Sequence, residues 1–359
     1  MLDTLIERIR AAYENHSSLI IQGGGSKTFY GSADEGEVLS ARMLTGVVDY
    51  QPKELVLTAR AGTPLMAIET LLAEQNQMLA FEPPHFAGPA TLGGCIAAGL
   101  SGPRRPYVGA VRDFVLGVRM IDGTGQPLRF GGQVIKNVAG YDVSRLMVGA
   151  LGTLGFLTEV SLKVLPKPVT EVSLQFELDE AAAILKMNQW AGQPLPLSAT
   201  SWHAGLLTVR LSGAASAVQA AQARIGGETL KDASAFWQRL RDQTTPFFNK
   251  RPSTSNQRLW RLAVNPATPP LAVSNRLAGD AQWIEWGGAV RWLISDQPAA
   301  TLREAAKTAG GHATLFRGDA PVDGVFTPLT PALLMLHRNL KQRFDPKGIL
   351  NHGRLYPEF

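Results

Sequence analysis

The chain has 359 residues, 45% of them hydrophobic and 18% charged, with a formal net charge of +5. That length allows roughly two or three domains of ~100–200 residues, and the balance is that of a globular protein with a sizeable core, not of a disordered or fibrous chain. No run of ~18 apolar residues occurs, so no membrane span is expected.

The opening stretch "MLDTLIERIRAAYENHSS" reads as an amphipathic helix of mixed charge without a signal-peptide layout. Short strands follow at "SLIIQ", "EVLSA", "GVVDYQ" and "ELVLTARAG". A helix is expected at "PLMAIETLLAEQNQ", with Pro64 in its first turn and Leu65, Ile68, Leu71 and Leu72 on its apolar side. Strands resume at "FVLGVRMIDGTGQPLRFGG", where Asp122, Gly123 and Gly125 mark a hairpin turn. A helix, "YDVSRLMVGAL", precedes the strand ending at Pro166 and Pro168, and Asp142 or Ser144 is its expected cap. From Val169 the texture changes to alternating strands interleaved with helices, the pattern of an α+β domain with an antiparallel sheet. The helix "ALLMLHRNLKQRF" leads to the tail "DPKGILNHGRLYPEF".

Chemistry concentrates in glycine clusters. In "IIQGGGSKTFYG" a strand ends in a tight turn whose amides can form a concavity for a phosphate. It is not a P-loop, because Ser26 and Ile21 stand where the two glycines belong. Nor is it a dinucleotide fingerprint, because Thr28 replaces the third glycine. A second cluster, "GPATLGGCIAAGLSGPRRPYVGAVRD", and a third, "GALGTLGF", lie in the same half of the chain. Three such clusters point to one long, charged ligand. The single cysteine, Cys95, excludes an internal disulfide, agrees with a reducing cytosol, and excludes an iron–sulfur cluster held by this chain's own thiolates. With no arginine-rich tract, nucleic acid is not an expected partner; an anionic cofactor or an acidic partner subunit accounts for the positive balance.

The order "GGGS…TLGG…G…RD…GTLG…TEVSLKVLPKP" resembles the FAD-binding fold of the vanillyl-alcohol oxidase (PCMH) type. The tail "FDPKGILNHGR" resembles the C-terminal signature of its glycolate and D-lactate dehydrogenase branch, and "GGQVIKNVAGYDVSRLMVGALGTLG" is similar to the family of FAD-binding E subunits of bacterial glycolate oxidase. The resemblance implies a two-subdomain FAD-binding domain over 1–170, an α+β cap over 171–329, and a C-terminal helix and tail over 330–359 returning to the first domain. It also implies the cofactor contacts. Gly23, Gly24, Gly25, Ser26 and Lys27 would wrap the FAD pyrophosphate. Thr91, Gly93 and Gly94, with Gly102 and Gly109, would form a second wall. Gly152, Thr153, Gly155, Phe156 and Leu157 would line the cofactor, and Asn351 and Arg354 would bring the tail back to it. Asn137, Gly140, Tyr141 and Asp142 lie in the E-subunit signature, and Arg112 and Asp113 are read as an ion pair.

FAD is expected to be held non-covalently, since Ser26 fills a position where covalent relatives place a histidine or cysteine. The six histidines, at 16, 85, 203, 312, 337 and 352, are scattered, without metal-ligand spacing; no metal is expected, and His312 with Arg317 is the nearest analogue of a substrate-handling pair. The implied role is the FAD-binding subunit of a glycolate oxidase complex, with a sister flavoprotein as main catalytic subunit and an iron–sulfur subunit as electron outlet. The chain would be cytoplasmic, touching the inner membrane only through the complex. Two other readings are a stand-alone FAD-dependent 2-hydroxy-acid dehydrogenase and a scaffold that has lost FAD. The segment "FFNKRPSTSNQRLWRL" offers Phe247, Phe248 and Trp260 as interface anchors among Lys250, Arg251, Arg258 and Arg261; alternatively, its aromatics fold inward.

Overall fold

The computed structural model describes residues 2–32, 35–86, 88–132, 142–249, 257–273, 281–321 and 324–359. The chain divides into two compact units. The first comprises Met1–Ser101, Gly109–Pro166 and Pro328–Phe359, and the second Gly102–Val108 and Lys167–Thr327. The chain thus enters the second unit at Lys167 and leaves it at Thr327, against expected boundaries of 170 and 329. The excursion of residues 102–108 had no counterpart in the sequence reading.

In the first unit the helix Leu2–Asn15 buries Leu5, Ile9 and Ala12, one stripe at helical spacing. Strands β1 (Leu19–Gln22) and β2 (Glu37–Ser40) pair in parallel beside it. Next come β3 (Val47–Gln51), β4 (Val56–Arg60), β5 (Gln77–Met78), β6 (Val115–Ile121), β7 (Pro127–Gly131), β8 (Phe156–Lys163) and β9 (Leu165–Pro166). An antiparallel sheet runs in the order β3-β4-β8-β6-β7, and β5 pairs with β9. The β6–β7 turn is fastened by Asp122, whose Oδ1 accepts from the amides of Thr124 and Gln126 at 2.9 Å each. The helix expected at "YDVSRLMVGAL" is only Val143–Leu146, capped by Asp142, which accepts from the Arg145 amide at 3.2 Å. Asn137, Gly140 and Tyr141 lie outside the described residues.

The C-terminal helix Pro331–Phe344 begins with Thr330 as cap and proline in its first turn. Near its end Lys341 is 5% exposed and Asp345 1% exposed. Lys341 Nζ donates to Asp345 Oδ2 at 2.7 Å, to the Leu350 carbonyl at 2.7 Å and to the Thr153 carbonyl at 2.9 Å. Asp345 in turn accepts from the amides of Ile349 and Leu350. Burial pulls the Lys341 ammonium below the ordinary lysine range, and the Asp345 carboxylate opposes that.

The second unit is built on β10 (Thr170–Glu177), β11 (Leu197–His203), β12 (Leu206–Gly213), β13 (Glu228–Thr229), β14 (Arg258–Ala263), β15 (Gln282–Glu285), β16 (Val290–Ser295) and β17 (His312–Arg317). They form an antiparallel sheet in the order β13-β10-β12-β11-β15-β16-β14-β17. Alternation along the strands sends Leu207, Val209 and Leu211 to a core shared with the helices Glu180–Ala191 and Ala215–Ile225. Trp260, Leu262, Ala313 and Leu315 go to a core shared with the helix Ala299–Thr308. Arg291, fully buried, donates to the carbonyls of Gly288 and Thr268 at 2.8 Å each and reaches Glu180 at 3.4 Å. Burial pushes its guanidinium down to about 10.

The three aromatics expected to anchor an interface, Phe247, Phe248 and Trp260, are buried instead. Phe247 and Phe248 are buried, with the Phe248 ring 5.9 Å from that of Trp283 and 5.4 Å from that of Trp292. Trp260 lies wholly in the core against the helix Ala299–Thr308. The strand period decides this for Trp260: it falls in register with Leu262, and the apolar face takes both. Lys250 and Arg251 lie outside the described residues.

Replacing Lys341 by methionine keeps the volume but leaves the Asp345 carboxylate buried without its cation. Breaking one side of such a pair costs roughly 3–5 kcal/mol, so chemical denaturation of Lys341→Met is expected to show a markedly lower midpoint. An unchanged midpoint would deny the pair its stabilising role.

Candidate functional site

Residues 23–28 leave the end of β1 as a glycine turn and, with Ile20, Ile21, Gln22, Thr91, Gly94, Ala97, Ala98, Leu151, Asn351 and Arg354, line an open cleft of about 590 Å³. Among the described residues the amides of Gly24, Gly25 and Ser26 donate to no protein acceptor. Three successive donors facing no internal partner need an outside one.

The turn is held by two arginines that donate to its carbonyls and to that of Tyr30 just beyond it. Arg42 donates to the carbonyls of Gly23 at 3.3 Å and Gly24 at 2.8 Å. Arg354 Nη2 donates to the carbonyls of Thr28 and Tyr30 at 2.9 Å each. Peptide units pinned by their oxygens have their N–H groups fixed in direction. Lys27 Nζ stands 3.2 Å from Ser26 Oγ and 5.4 Å from the centre of the Phe86 ring, so its charge stays at the turn.

Close approach explains the glycines. A Cβ on Gly24 would run into the Pro89 carbonyl, and one on Gly23 into Thr91 Oγ1. The glycine at 24 is therefore needed for contact between two loops. Thr91 caps the helix Leu92–Ala98, its hydroxyl accepting from the Gly94 amide at 3.3 Å.

Asn351 closes the cleft floor. It is 4% exposed, its Oδ1 accepts from the Ile21 amide at 2.6 Å, and its Nδ2 donates to the Leu151 carbonyl at 2.6 Å. Gly152, at φ +78°, would bring a Cβ to 2.6 Å from Asn351 Nδ2.

The remaining expected site residues stand elsewhere. Gly93 packs on Ala61, where a Cβ would come within 2.8 Å of the alanine Cβ. Thr153, Phe156 and Leu157 are buried, Phe156 within the core around Ile9 and Leu39, and Gly155 packs on Met120. Gly109 turns over the Asp113 side chain, whose Oδ1 lies 4.0 Å from Arg112 Nε. Gly102 belongs to the second unit, where its carbonyl accepts from the Trp286 indole at 3.1 Å. His312 and Arg317 occupy opposite ends of β17, ~16 Å apart along the strand at its usual rise, so they do not converge. Arg42 was missed, because nothing in sequence marks a side chain that acts on carbonyls 18 and 19 residues earlier.

Cys95, in the helix Leu92–Ala98, is 1% exposed, and burial pushes its thiol up to about 12, with Lys27 opposing and Glu69 adding to the rise. It stays protonated and unreactive at neutral pH.

Comparison with known proteins agrees with this geometry. A family model described as an FAD binding domain matches residues 2–131. The chain is 48% identical to the glycolate oxidase subunit GlcE of Escherichia coli K12 over 354 residues, 99% of this chain and 97% of that one. It is 32% identical to the glycolate oxidase subunit GlcD of Bacillus subtilis 168 over 184 residues, 50% of this chain and 39% of that one. A D-lactate dehydrogenase of Anaerostipes hadrus is 31% identical over 39% of this chain and 29% of its own. The solved structure of alkyldihydroxyacetonephosphate synthase superposes with a TM-score of 0.64 over 97% of this chain and 74% of that one, at 16% identity, a likeness of fold alone. A match of nearly half the residues along almost the whole length of both chains shows the family, and the chain belongs to the FAD-dependent oxidoreductase family of glycolate oxidase E subunits.

Proposed function

We propose that this chain is the flavin-holding E subunit of a complex that oxidises glycolate to glyoxylate. One observation carries the reading: the turn at residues 23–28 presents three uncommitted amides in a cleft, in a chain 48% identical to a glycolate oxidase subunit over 99% of its length. The amides of Gly24, Gly25 and Ser26 would hold the pyrophosphate of FAD, with the Lys27 charge beside it. Thr91 and Gly94, packed against Gly23, and Asn351 line the same cleft. When bound, FAD supplies an acceptor for electron pairs that can pass them on singly. The protein's own part is to bind, to orient and to keep the anion dry.

FAD binding is non-covalent in this reading, because the thiol at Cys95 is buried and protonated and Ser26 carries no nucleophile of the required kind. Hydroxy-acid oxidation would fall mainly to a sister flavoprotein subunit, and electrons would leave through an iron–sulfur subunit. The complex would work in the cytoplasm, with this chain meeting the membrane only through its partners. The stand-alone dehydrogenase draws no support from His312 and Arg317, which do not converge. The scaffold reading draws none from a cleft that keeps its uncommitted amides.

Gly24→Val is expected to abolish flavin absorbance in the purified chain, because the loop must move off the Pro89 carbonyl and the three amides lose their alignment. Circular dichroism should show the remaining fold intact. Full flavin content in that variant would remove the turn from the site.

Denaturing the flavin-loaded chain in acid should release all of its flavin, with no fluorescence on the protein band. Iodoacetamide at pH 8 should label Cys95 only after unfolding. Flavin retained on the denatured chain, or rapid native labelling, would contradict a buried thiol beside a non-covalent cofactor.

A further inference from the structure

We propose that the outward face of the C-terminal helix Pro331–Phe344 is the docking surface for a second kind of protein subunit, one that offers an apolar seat rimmed with carboxylates. The helix belongs to the first unit. Its inner side is occupied. Lys341 and Phe344 are buried and Leu334 and His337 half-buried, and these four fall at i, i+3, i+7 and i+10. The His337 ring lies 6.1 Å from that of Tyr356 and 5.8 Å from that of Phe359, so the tail packs on this side.

The outer side is apolar where solvent calls for polar residues. The first turns read Leu333-Leu334-Met335-Leu336, four apolar residues in succession. Such a run surrounds the helix, and a helix apolar all round is normally enclosed. Here one side alone is covered: Met335 is 58% exposed, Leu336 53% and Leu333 46%. No other four-residue stretch among the described residues exposes three large apolar side chains, which sets this patch apart from the singly scattered ones. Ala332, Met335, Leu336, Asn339 and Arg343, at i, i+3, i+4, i+7 and i+11, are all exposed and form one face. The backbone beneath it is fixed, with Thr330 as cap at one end and Lys341 bonded to the Thr153 and Leu350 carbonyls near the other. A face ordered in advance loses little freedom on binding, and methionine fits its shape to a partner.

Charge selects the occupant. The helix has no carboxylate among its 14 residues. Arg338 and Arg343 are exposed and have no ion-pair or hydrogen-bond partner among the described residues. A second copy of this chain would bring the same acid-free helix and a net charge of +5 against it, a pairing that like charges disfavour. An anionic lipid surface is met by clusters of roughly four to eight basic residues; two free arginines on a helix without tryptophan or tyrosine do not make one. An apolar seat with an acidic rim answers both halves of the face: the leucines and the methionine leave water, and the guanidiniums find carboxylates.

That such a subunit exists rests on the reading of this chain as part of a glycolate oxidase complex. The test co-expresses the tagged full-length chain with the sister flavoprotein and iron–sulfur subunits and measures the recovered complex by size exclusion with light scattering. Met335→Asp and Leu336→Asp are each expected to lower recovery about tenfold or more, with the chain's flavin content and circular dichroism unchanged. Arg338→Glu, a fully polar exchange at an exposed position, should weaken the complex as well and keeps the test open if an apolar variant misfolds. Raised salt should weaken the parent complex. In Arg338→Lys, a water-soluble carbodiimide should join the amine at position 338 to a partner carboxylate, located by mass spectrometry. Parent-level recovery in Met335→Asp, Leu336→Asp and Arg338→Glu alike would overturn the surface. A homodimer of the chain that these variants dissolve would give the face to a second copy, and binding to phosphatidylserine vesicles that they abolish would give it to lipid; either result overturns the occupant. A parent chain that loads flavin yet co-purifies with neither subunit would defeat the complex reading itself, an outcome seen before any variant is made.

Discussion

The first unit depends on one buried amide. Asn351 joins the end of β1 to the loop at Leu151, and its backbone amide donates to the Leu19 carbonyl at 2.9 Å. Three stretches separated by 330 and 200 residues are thereby fixed to a common point. Its left-handed backbone, φ +41°, is a conformation that asparagine tolerates better than most residues. Beside it the Lys341–Asp345 pair ties the C-terminal helix to Thr153 and Leu350. With the tail anchored this way, Arg354 can reach the carbonyls at Thr28 and Tyr30. The far end of the glycine turn is therefore held by a segment more than 300 residues away in sequence, and its near end by Arg42.

That dependence separates what the sequence discloses from what it conceals. The turn itself was readable, because a run of glycines after an apolar strand has few other uses. The strands, the hairpin at Asp122 and the C-terminal helix were readable from period and capping. Arg42 was not, since a guanidinium that spends its donors on distant carbonyls has no local pattern. The role of Gly24 was half readable: the requirement for glycine is visible in the sequence, but the neighbour that enforces it, the Pro89 carbonyl, is known only from the fold.

The aromatics of the second unit teach the converse. Phe247, Phe248 and Trp260 among arginines have the composition of an interface centre. Yet aromatic side chains bury the largest area per residue, and a sheet with one face turned to helices must still cover the other. Phe247 and Phe248 meet that need against Trp283 and Trp292. Composition counts aromatic and basic residues together; strand parity then sends them to different faces, with Trp260 inward and Arg261 outward.

The two units consequently present charge by different means. The first uses backbone: amides aimed by bonds to their carbonyls, a device that sequence shows only as glycine. Its positive potential is built from partial charges, is fixed in direction and is little altered by pH. The second uses side chains, with the guanidiniums of Arg105 and Arg261 set over the Trp286 ring. A backbone cradle suits a permanent anionic group that need not leave. The division follows from the architecture of each unit: a strand ending in a glycine turn can offer amides in series, whereas a sheet face has its amides committed to neighbouring strands and can offer only what its residues carry.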